Sequence, residues 1–404
     1  MSTPWMTVIG VGESGETDLT PAAKALVDDA EVLVGGERHH GLVPRPGVEQ
    51  ITWAKGMRET FADIALHRGK RVVVLASGDP FCFGVATTLL KFFEPDDLVV
   101  YPSPSAFSLA CARLKWSLPD TACLTVHGRP VEALLLHFAP RSRFIALSRD
   151  GRSPREIAAL LTERGFGPSR ITVLEHMGGE KENRLEATAE TWGKQTAEDL
   201  NVVAVEVVPG PAAKPLSLVP GLADDVFEND GQLTKREVRA ATLSALQPLP
   251  GQTLWDVGAG CGSIAIEWLR ALEGRGRAVA VEQNAKRRVF IGRNAMALGV
   301  PSLEIVDGEA PEVLEDLSPQ PDSIFLGGGV STPGLLDACW TQLPKGGRLV
   351  ANGVTLEAEK ALINFVAHTG GSLSRFTVER LEAVGRLHGF KPMMTVTQLM
   401  AVKP

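Results

Sequence analysis

Residues 253–263 read Thr-Leu-Trp-Asp-Val-Gly-Ala-Gly-Cys-Gly-Ser, the most informative stretch of the second half of the chain. A short apolar run ends in Asp256, and glycines then stand at every second position. Apolar residues follow at helical spacing as far as Leu272, and Gly274 ends the run. The pattern predicts a strand, a tight turn and a helix. Because glycines let backbone N–H groups approach a ligand near a helix N-terminus, we expect a ligand site at this turn.

The turn differs from the dinucleotide-binding fingerprint, which would require glycine at the position of Ser263. It resembles motif I of the class I S-adenosylmethionine-dependent methyltransferases, Asp-x-Gly-x-Gly-x-Gly. The residues that carry this resemblance are Asp256, Gly258, Gly260 and Gly262. The resemblance implies that the turn holds the amino-acid end of the cofactor, and that Glu282, which closes the next strand, holds the ribose hydroxyls. A βαβ turn without a ligand is the alternative.

Length and composition indicate two α/β-sized domains in a soluble globular protein, since the chain has 404 residues and 44% of them are apolar. The sequence contains no apolar run long enough to span a bilayer and no basic-then-apolar signal at its N-terminus, so we expect a cytoplasmic protein without membrane partners. The formal charge of −7 makes nucleic acid a poor partner. An anionic substrate would therefore need a local basic pocket.

The five cysteines are scattered and show no Cys-x-x-Cys spacing. This arrangement argues against a disulfide framework and against a zinc site, and it suits a reducing cytosol. We accordingly predict no metal.

Strand-like and helical segments alternate in the first half, which predicts an α/β layer fold. Strands are predicted at 7–11, 30–34, 71–76, 98–101, 124–126, 143–147, 171–175 and 202–208. Thr20 is expected to cap a helix that has Pro21 at its first position. His39 and His40 are expected in a solvated loop, since adjacent residues rarely point to one site.

Several motifs of this half, by their order and spacing, resemble those of the tetrapyrrole methylase family. They are Val8-Ile9-Gly10-Val11-Gly12, Leu19-Thr20-Pro21, Ser77-Gly78-Asp79-Pro80, the Ser-rich turn 102–106 and Gly178-Gly179-Glu180. The resemblance covers residues 5–210 and implies a two-lobed class III methyltransferase with S-adenosylmethionine between the lobes. The cofactor contacts that it implies are Gly12, Gly78, Asp79, Pro80, Ser105 and Ala106.

One departure from that family concerns Glu13-Ser14-Gly15, which occupies the place of the family's usual Pro-Gly and bears on the substrate-side loop. Asp79 has an alternative interpretation as the capping residue of an ordinary turn. His127, at the end of a strand, is a candidate substrate contact.

A Pro-rich linker at 211–220 separates the first domain, 1–210, from a second at 221–404. Thr234 and Glu237 have the spacing of a capping box. The alternative is a functional role, in which Thr234 lies in the second site together with the basic Lys235, Arg236 and Arg239. The run 234–239 before the glycine turn resembles the family of decarboxylating precorrin C15-methyltransferases of cobalamin biosynthesis.

The second domain is predicted to be a class I Rossmann-like methyltransferase with a seven-stranded sheet. By the same resemblance, Glu309 and Ala310 border the adenine, and Gly327-Gly328-Gly329 lies where ligands bind in open α/β sheets. Residues 376–381 and 394–402 are expected to close the sheet as a hairpin pair. Between them Arg386, with His388 and Lys391, could meet substrate carboxylates, and a solvated loop is the alternative.

Two unrelated S-adenosylmethionine folds in one chain imply two methylations of one tetrapyrrole. The resemblances assign meso carbon 5 to the first half, and carbon 15 with loss of carbon dioxide from the ring C acetate to the second. They imply one S-adenosylmethionine per domain, and we also expect a homo-oligomer. A meso carbon conjugated to nitrogen is already nucleophilic, so no catalytic side chain is predicted and positioning dominates. The alternatives are a methyltransferase pair for another polycarboxylate, a dinucleotide-dependent dehydrogenase and a binding scaffold.

Overall fold

The computed structural model describes residues 4–53 and 56–404. The chain divides into two compact units. Unit 1 takes in Met1–Val131 and Ala139–Lys214, and unit 2 takes in Glu132–Phe138 and Pro215–Pro404. Among the described helices, none combines the length and the apolar character that crossing a membrane requires.

The first lobe of unit 1 is built on a five-stranded parallel sheet. Its strands are β1 (Met6–Val11), β2 (Val32–Gly35), β3 (Glu49–Thr52), β4 (Val72–Ser77) and β5 (Leu98–Tyr101). Its helices are α1 (Pro21–Asp28), α2 (Glu37–Leu42), α3 (Met57–Ala65) and α4 (Ala86–Leu89), and α5 (Ala106–Leu114) follows the last strand. The order β3-β2-β4-β1-β5 places the nearly continuous apolar runs of β1, β2 and β4 at the centre, as expected for strands covered on both faces.

The second lobe of unit 1 is a mixed five-stranded sheet in which only the first pair is parallel. Its elements are β6 (Ala122–Thr125), β7 (Arg143–Leu147), α6 (Ser153–Glu163), β8 (Arg170–Glu175), β9 (Asn183–Thr188) and β10 (Asn201–Glu206), and the strand order is β6-β7-β10-β8-β9. Helix α5 packs on this sheet, where Phe107 and Cys111 share a core with Ile145.

Two local predictions for unit 1 have different outcomes. The cap of α1 is confirmed, because Thr20 Oγ1 accepts the Ala23 N–H at 3.2 Å and Pro21 is the first helical residue. The solvated loop expected at His39 and His40 is wrong, because both lie in α2. His40 is buried and contacts the backbone oxygen of Ile51 in the neighbouring strand, an interaction that the sequence pattern does not reveal.

Unit 2 is built on the predicted seven-stranded sheet, in the class I arrangement. Its elements are α7 (Arg236–Leu246), β11 (Thr253–Val257), α8 (Ser263–Ala271), β12 (Arg277–Val281), α9 (Ala285–Ala297), β13 (Glu304–Val306), β14 (Ser323–Leu326), α10 (Leu335–Gln342), β15 (Arg348–Gly353), α11 (Leu356–Thr369), β16 (Ser372–Phe376), β17 (Glu379–Val384), β18 (Leu387–Pro392) and β19 (Val396–Val402). The order is β13-β12-β11-β14-β15-β19-β16, with β19 antiparallel to both neighbours.

The end of the sheet differs from the prediction. The strand expected at 376–381 lies earlier, at β16, and β17 pairs with β18 in a separate two-stranded hairpin. Gly385, with φ +63°, turns this hairpin next to Arg386. Arg386 therefore lies at an exposed hairpin tip, and it is not one of the described residues that line the pocket of unit 2. The sequence prediction misplaced the end of the sheet because β-type alternation continues through 379–392. The pattern alone does not show where one sheet ends and the next begins.

Buried charges of α8 hold the segment that precedes α7. Glu267 accepts the backbone N–H groups of Gly221 and Leu222 at 2.6 and 3.0 Å. The Arg270 guanidinium donates to the carbonyl oxygens of Leu216 and Ser217 at 3.3 and 3.1 Å. These bonds satisfy backbone groups that would otherwise be buried without partners, so the segment from Leu216 onwards folds as part of unit 2.

Candidate active site

A pocket in unit 2 opens at the carboxyl ends of β11, β12 and β14 and has a volume of about 350 Å³. Its volume lies within the range of small-molecule sites. Six of the residues predicted to contact cofactor line it: Thr234, Gly258, Gly260, Glu282, Glu309 and Ala310. The structure therefore brings together residues from four separate stretches of sequence.

The glycine turn forms the floor of this pocket. Gly258 and Gly260 have φ values of +71° and +61°, a region that side chains other than glycine rarely adopt. A Cβ atom added to Gly260 would meet only the backbone oxygen of Gln232, at 3.6 Å, and both residues line the pocket. Gly262 has a different role: its added Cβ would come within 3.0 Å of Ile291 Cγ2, so it allows α8 to pack closely on α9.

Asp256 lies beneath the turn and is not one of the described lining residues. Its side chain is 1% exposed, and its Oδ2 accepts the Ala265 N–H at 3.1 Å, which ties the strand end to the first turn of α8. Its Oδ1 has no hydrogen-bond partner in the described part of the chain. Burial raises the pKa of this carboxyl to about 7, with a smaller contribution from Glu282. Asp256 thus supports the turn from below, and its role as a cofactor contact stays a prediction.

The raised pKa of Asp256 has a consequence for stability. Since the folded carboxyl holds its proton up to about pH 7 and the unfolded one only up to about pH 4, this group's contribution to stability is lost as pH rises between those values. We expect Asp256→Asn to raise the free energy of unfolding of ligand-free unit 2 by about 2–4 kcal/mol at pH 8, and to have little effect near pH 4. Chemical denaturation at both pH values measures this difference, and an equal effect at the two would contradict it.

Glu282, which follows β12, links the end of that strand to the glycine turn. Its Oε2 accepts the Gly260 N–H at 2.8 Å, and its Oε1 accepts the Asn284 N–H at 2.9 Å. Each carboxylate oxygen keeps a further lone pair, so Glu282 can accept hydroxyl groups at the pocket wall while it fixes the turn.

The wall of the pocket is formed in part by Gly327, Gly328 and Gly329, which the sequence places at a strand end where ligands bind. Four polar pocket residues were not predicted: Gln232, Gln283, Arg287 and Thr332. Gln232, Gln283 and Thr332 come from loops and Arg287 from the first turn of α9, and no motif marks any of them.

The basic residues before α7 require a correction. Arg239 is fully buried, its Nε lies 2.7 Å from Glu267 Oε1, and its guanidinium stacks over Phe227 at 4.7 Å. It cannot reach a substrate, because its charge is used inside the core. Lys235 and Arg236 lie nearer the surface but are not among the described lining residues.

The capping box predicted for Thr234 and Glu237 is also wrong. The helix begins at Arg236 with Lys235 as its N-cap, and no side chain caps it. Glu237 instead pairs with Arg380 of β17, with Oε2 2.6 Å from Nη2. Thr234 lies before the helix and lines the pocket above the glycine turn, so it remains a candidate cofactor contact.

In unit 1 the predicted cofactor residues converge on the carboxyl edge of the first lobe's sheet. Gly78 has φ +57°, and its N–H donates to the carbonyl oxygen of Val11, next to Gly12. Its own carbonyl accepts the Ser103 N–H at 3.1 Å. A Cβ added to Gly78 would lie 2.9 Å from the Pro104 oxygen, so only glycine permits this crossing.

The neighbouring candidates have local structural roles. Ser105 caps α5, whose first residue is Ala106, by accepting the Ser108 N–H at 3.1 Å. Asp79 Oδ1 accepts the Phe81 N–H at 2.9 Å, which is the turn-capping role named above as the alternative. Pro80 is buried behind the turn.

His127 is exposed after β6, and no hydrogen bond joins its imidazole to another described residue. Arg129, two positions further on, stacks on Phe83 in the loop that follows Pro80. This contact brings the segment of His127 towards the Ser-Gly-Asp-Pro turn, and its role as a substrate contact stays a prediction.

Comparison with known proteins agrees with both halves of this description. A family model described as tetrapyrrole (corrin/porphyrin) methylases matches residues 6–192, and one described as a precorrin methyltransferase domain matches residues 225–403. The precorrin-6Y C(5,15)-methyltransferase [decarboxylating] of Sinorhizobium sp is 46% identical over 396 residues, 98% of this chain and 95% of that protein. The chain belongs to this family.

Two shorter relatives of the precorrin-6Y C(5,15)-methyltransferase family match parts of the chain. A cobalt-precorrin-7 C(5)-methyltransferase of Salmonella typhimurium is 36% identical over 180 residues, 44% of this chain and 87% of that protein. A probable cobalt-precorrin-6B C(15)-methyltransferase (decarboxylating) of Saccharolobus solfataricus is 35% identical over 144 residues, 35% of this chain and 72% of that protein.

Membership in the precorrin-6Y C(5,15)-methyltransferase family confirms the resemblances drawn from the sequence. The chain is a methyltransferase, the family implies S-adenosylmethionine as methyl donor, and a tetrapyrrole is the substrate class. The dehydrogenase and scaffold alternatives are set aside by this result.

Proposed function

We propose that this chain methylates precorrin-6Y at carbons 5 and 15 and removes carbon dioxide from the ring C acetate, giving precorrin-8X in cobalamin biosynthesis. Unit 1 methylates carbon 5, and unit 2 methylates carbon 15 and decarboxylates. The observation that carries the proposal is the end-to-end similarity to the decarboxylating C(5,15) enzyme, together with two separate glycine turns in two units.

The residues of unit 2 fit S-adenosylmethionine. The sulfonium and ammonium groups of this cofactor suit a pocket above the buried carboxyl groups of Asp256 and Glu282. Asp256 Oδ1 has no hydrogen-bond partner among the described residues. Gly258 and Gly260 would hold the amino-acid end, and Glu282 the ribose. Glu309 and Ala310 would border the adenine, as the resemblance implies. Thr234 would close the same pocket.

The chemistry depends on position more than on a reactive side chain. S-adenosylmethionine supplies a methyl group on a sulfonium, which a conjugated meso carbon can attack directly. The role of the protein is to hold the meso carbon of the macrocycle in line with the sulfonium methyl group and to exclude water. Such positioning can give a large rate enhancement without a nucleophilic residue. For decarboxylation the conjugated macrocycle can accept the electron pair that the departing carbon dioxide leaves. Lys235 and Arg236 are the candidates that orient substrate carboxylates at unit 2.

In unit 1 the turn around Gly12 and Gly78 would hold the second S-adenosylmethionine, with Asp79, Pro80, Ser105 and Ala106 beside it. The crossing of Gly78 over residues 103–105 is too tight for any side chain, so the glycine lets the turn after β4 pack against the segment that precedes α5. His127 would contact the tetrapyrrole.

Titration calorimetry tests the cofactor count. We expect two S-adenosylmethionine molecules per chain, competition by S-adenosylhomocysteine at both sites, and no heat from NAD. A single site would contradict one cofactor per unit, and saturable NAD binding would restore the dehydrogenase alternative.

A homo-oligomer is also part of this proposal. Leu381, Leu387 and Phe390 of the β17–β18 hairpin are 60%, 74% and 71% exposed, an apolar content that favours a protein contact. Light scattering of the purified chain should give a mass above that of one chain. A monomer at micromolar concentration would refute this part alone.

A further inference from the structure

A polar cluster lies at the carboxyl edge of the first lobe's sheet, beside the turn at Gly78. Ser77 ends β4, Arg38 and His39 lie in the helix that follows β2, and Glu13 follows β1. These three strands are neighbours in the sheet, and ligands of open α/β sheets bind at this edge. We propose that Arg38 and Ser77 form a carboxylate-binding subsite of unit 1, which orients an acidic side chain of the tetrapyrrole.

The hydrogen bonds around Ser77 fix the direction of its hydroxyl group. Arg38 Nη2 donates to Ser77 Oγ at 2.7 Å, and His39 Nε2 lies 3.0 Å from the same oxygen. Because His39 Nδ1 accepts the Gly36 N–H at 3.2 Å, the proton of the neutral ring must be on Nε2, which therefore donates to Ser77. Burial lowers the pKa of His39 to about 4, so the ring is neutral at physiological pH.

Both lone pairs of Ser77 Oγ are thus used as acceptors, and its own proton is free to be donated. Within residues 4–53 and 56–404 no acceptor for this proton forms a hydrogen bond with it, and the Ser77 residue is exposed. The Arg38 side chain is 38% exposed and has N–H groups beyond those that its two neighbours use. A charged donor and a hydroxyl donor side by side match the two oxygens of a carboxylate.

Glu13 and His39 act through these two donors and are positioning residues. Glu13 binds Arg38 Nη1 through Oε2, and its Oε1 lies 3.0 Å from Nδ1 of His176, which follows β8 of the second lobe. The Arg38 guanidinium is therefore held from one side by both lobes of unit 1 and turned towards Ser77. Glu13 is the residue that departs from the tetrapyrrole methylase pattern, so the subsite gives this departure a role in substrate recognition.

The inference rests on the proposed function, because it takes the substrate of unit 1 to be a polycarboxylate. The test uses the intact chain with precorrin-6Y and S-adenosylmethionine, and follows methylation at carbon 5 by mass analysis. Ser77→Ala is expected to raise the tetrapyrrole concentration for half-maximal rate about tenfold or more, with kcat changed little, since a hydrogen bond to a charged group is lost. Ser77→Thr, which keeps the hydroxyl, should restore most of the affinity.

The controls separate recognition from folding and from cofactor binding. Ser117→Ala removes an exposed hydroxyl elsewhere in unit 1, where it makes no capping bond, and should behave like the unchanged chain. All variants should keep two S-adenosylmethionine sites in calorimetry. An unchanged half-saturating concentration in Ser77→Ala, an equal loss in Ser77→Thr, or the loss of one cofactor site would each overturn the subsite. Absence of carbon 5 methylation by the unchanged chain would refute the proposed function of unit 1, and the subsite with it.

Discussion

Gly260→Val is expected to abolish methylation at carbon 15 and the release of carbon dioxide, and to lower the affinity of unit 2 for S-adenosylmethionine by about 100-fold or more, which corresponds to about 2.7 kcal/mol. The added side chain would occupy the pocket itself. Its Cβ would have the backbone oxygen of Gln232, at 3.6 Å, as its nearest protein neighbour. Calorimetry should then show one cofactor site per chain in place of two.

The backbone effect of this substitution needs a matched control. Gly251, also in unit 2, has φ +87° and no atom within 4 Å of an added Cβ. Gly251→Val therefore carries a similar conformational strain, of about 1–3 kcal/mol, away from the pocket. It should keep both cofactor sites and both reactions. If the two valine variants lose cofactor equally, the pocket at Gly260 is not the cofactor site.

Arg239→Leu is expected to destabilise unit 2 by about 3–5 kcal/mol, because it leaves the Glu267 carboxylate buried without its cationic partner. Arg236→Leu, on the exposed face of the same helix, should change the free energy of unfolding by no more than about 0.5 kcal/mol. Thermal unfolding followed by calorimetry measures both, and the transition of unit 1 is the internal reference.

For substrate binding we expect the reverse: the variant at Arg236 should be impaired and the variant at Arg239 should not. The Arg239→Leu chain, assayed below its unfolding transition, should bind substrate normally. Arg236→Ala should weaken methylation at carbon 15 and decarboxylation together, through substrate binding. A stable Arg239→Leu variant with weak substrate binding would return Arg239 to the site, as the sequence alone predicts.

Features set by a short stretch of sequence were predicted correctly. The glycine turn from Asp256 to Gly262 places an acid, three glycines and a helix start within one strand–turn–helix unit, so neighbouring residues carry all the information. The Thr20 cap is equally local. Glu282 was found because an acid at the end of the next parallel strand must lie at the same edge of the sheet.

Predictions that depend on distant partners were wrong or missing. The sequence shows that Arg239 is basic but not that Glu267, in the next helix, neutralises it in the core. Glu237 forms an ion pair with Arg380, 143 positions away in the sequence, and does not form the expected capping box. Gln232 and Thr332 reach the pocket from loops, where no periodicity marks a residue as inward-facing. The separate hairpin escaped prediction because strand alternation does not reveal which strand is the partner.

We propose that one chain carries out two methylations and one decarboxylation. Mass analysis of precorrin-6Y, after incubation with the purified chain and S-adenosylmethionine labelled in its methyl group, tests this proposal. We expect a product that has gained two labelled methyl groups and lost one carbon dioxide. A product that gains a single methyl group, or that gains two and keeps every carboxylate, would contradict it.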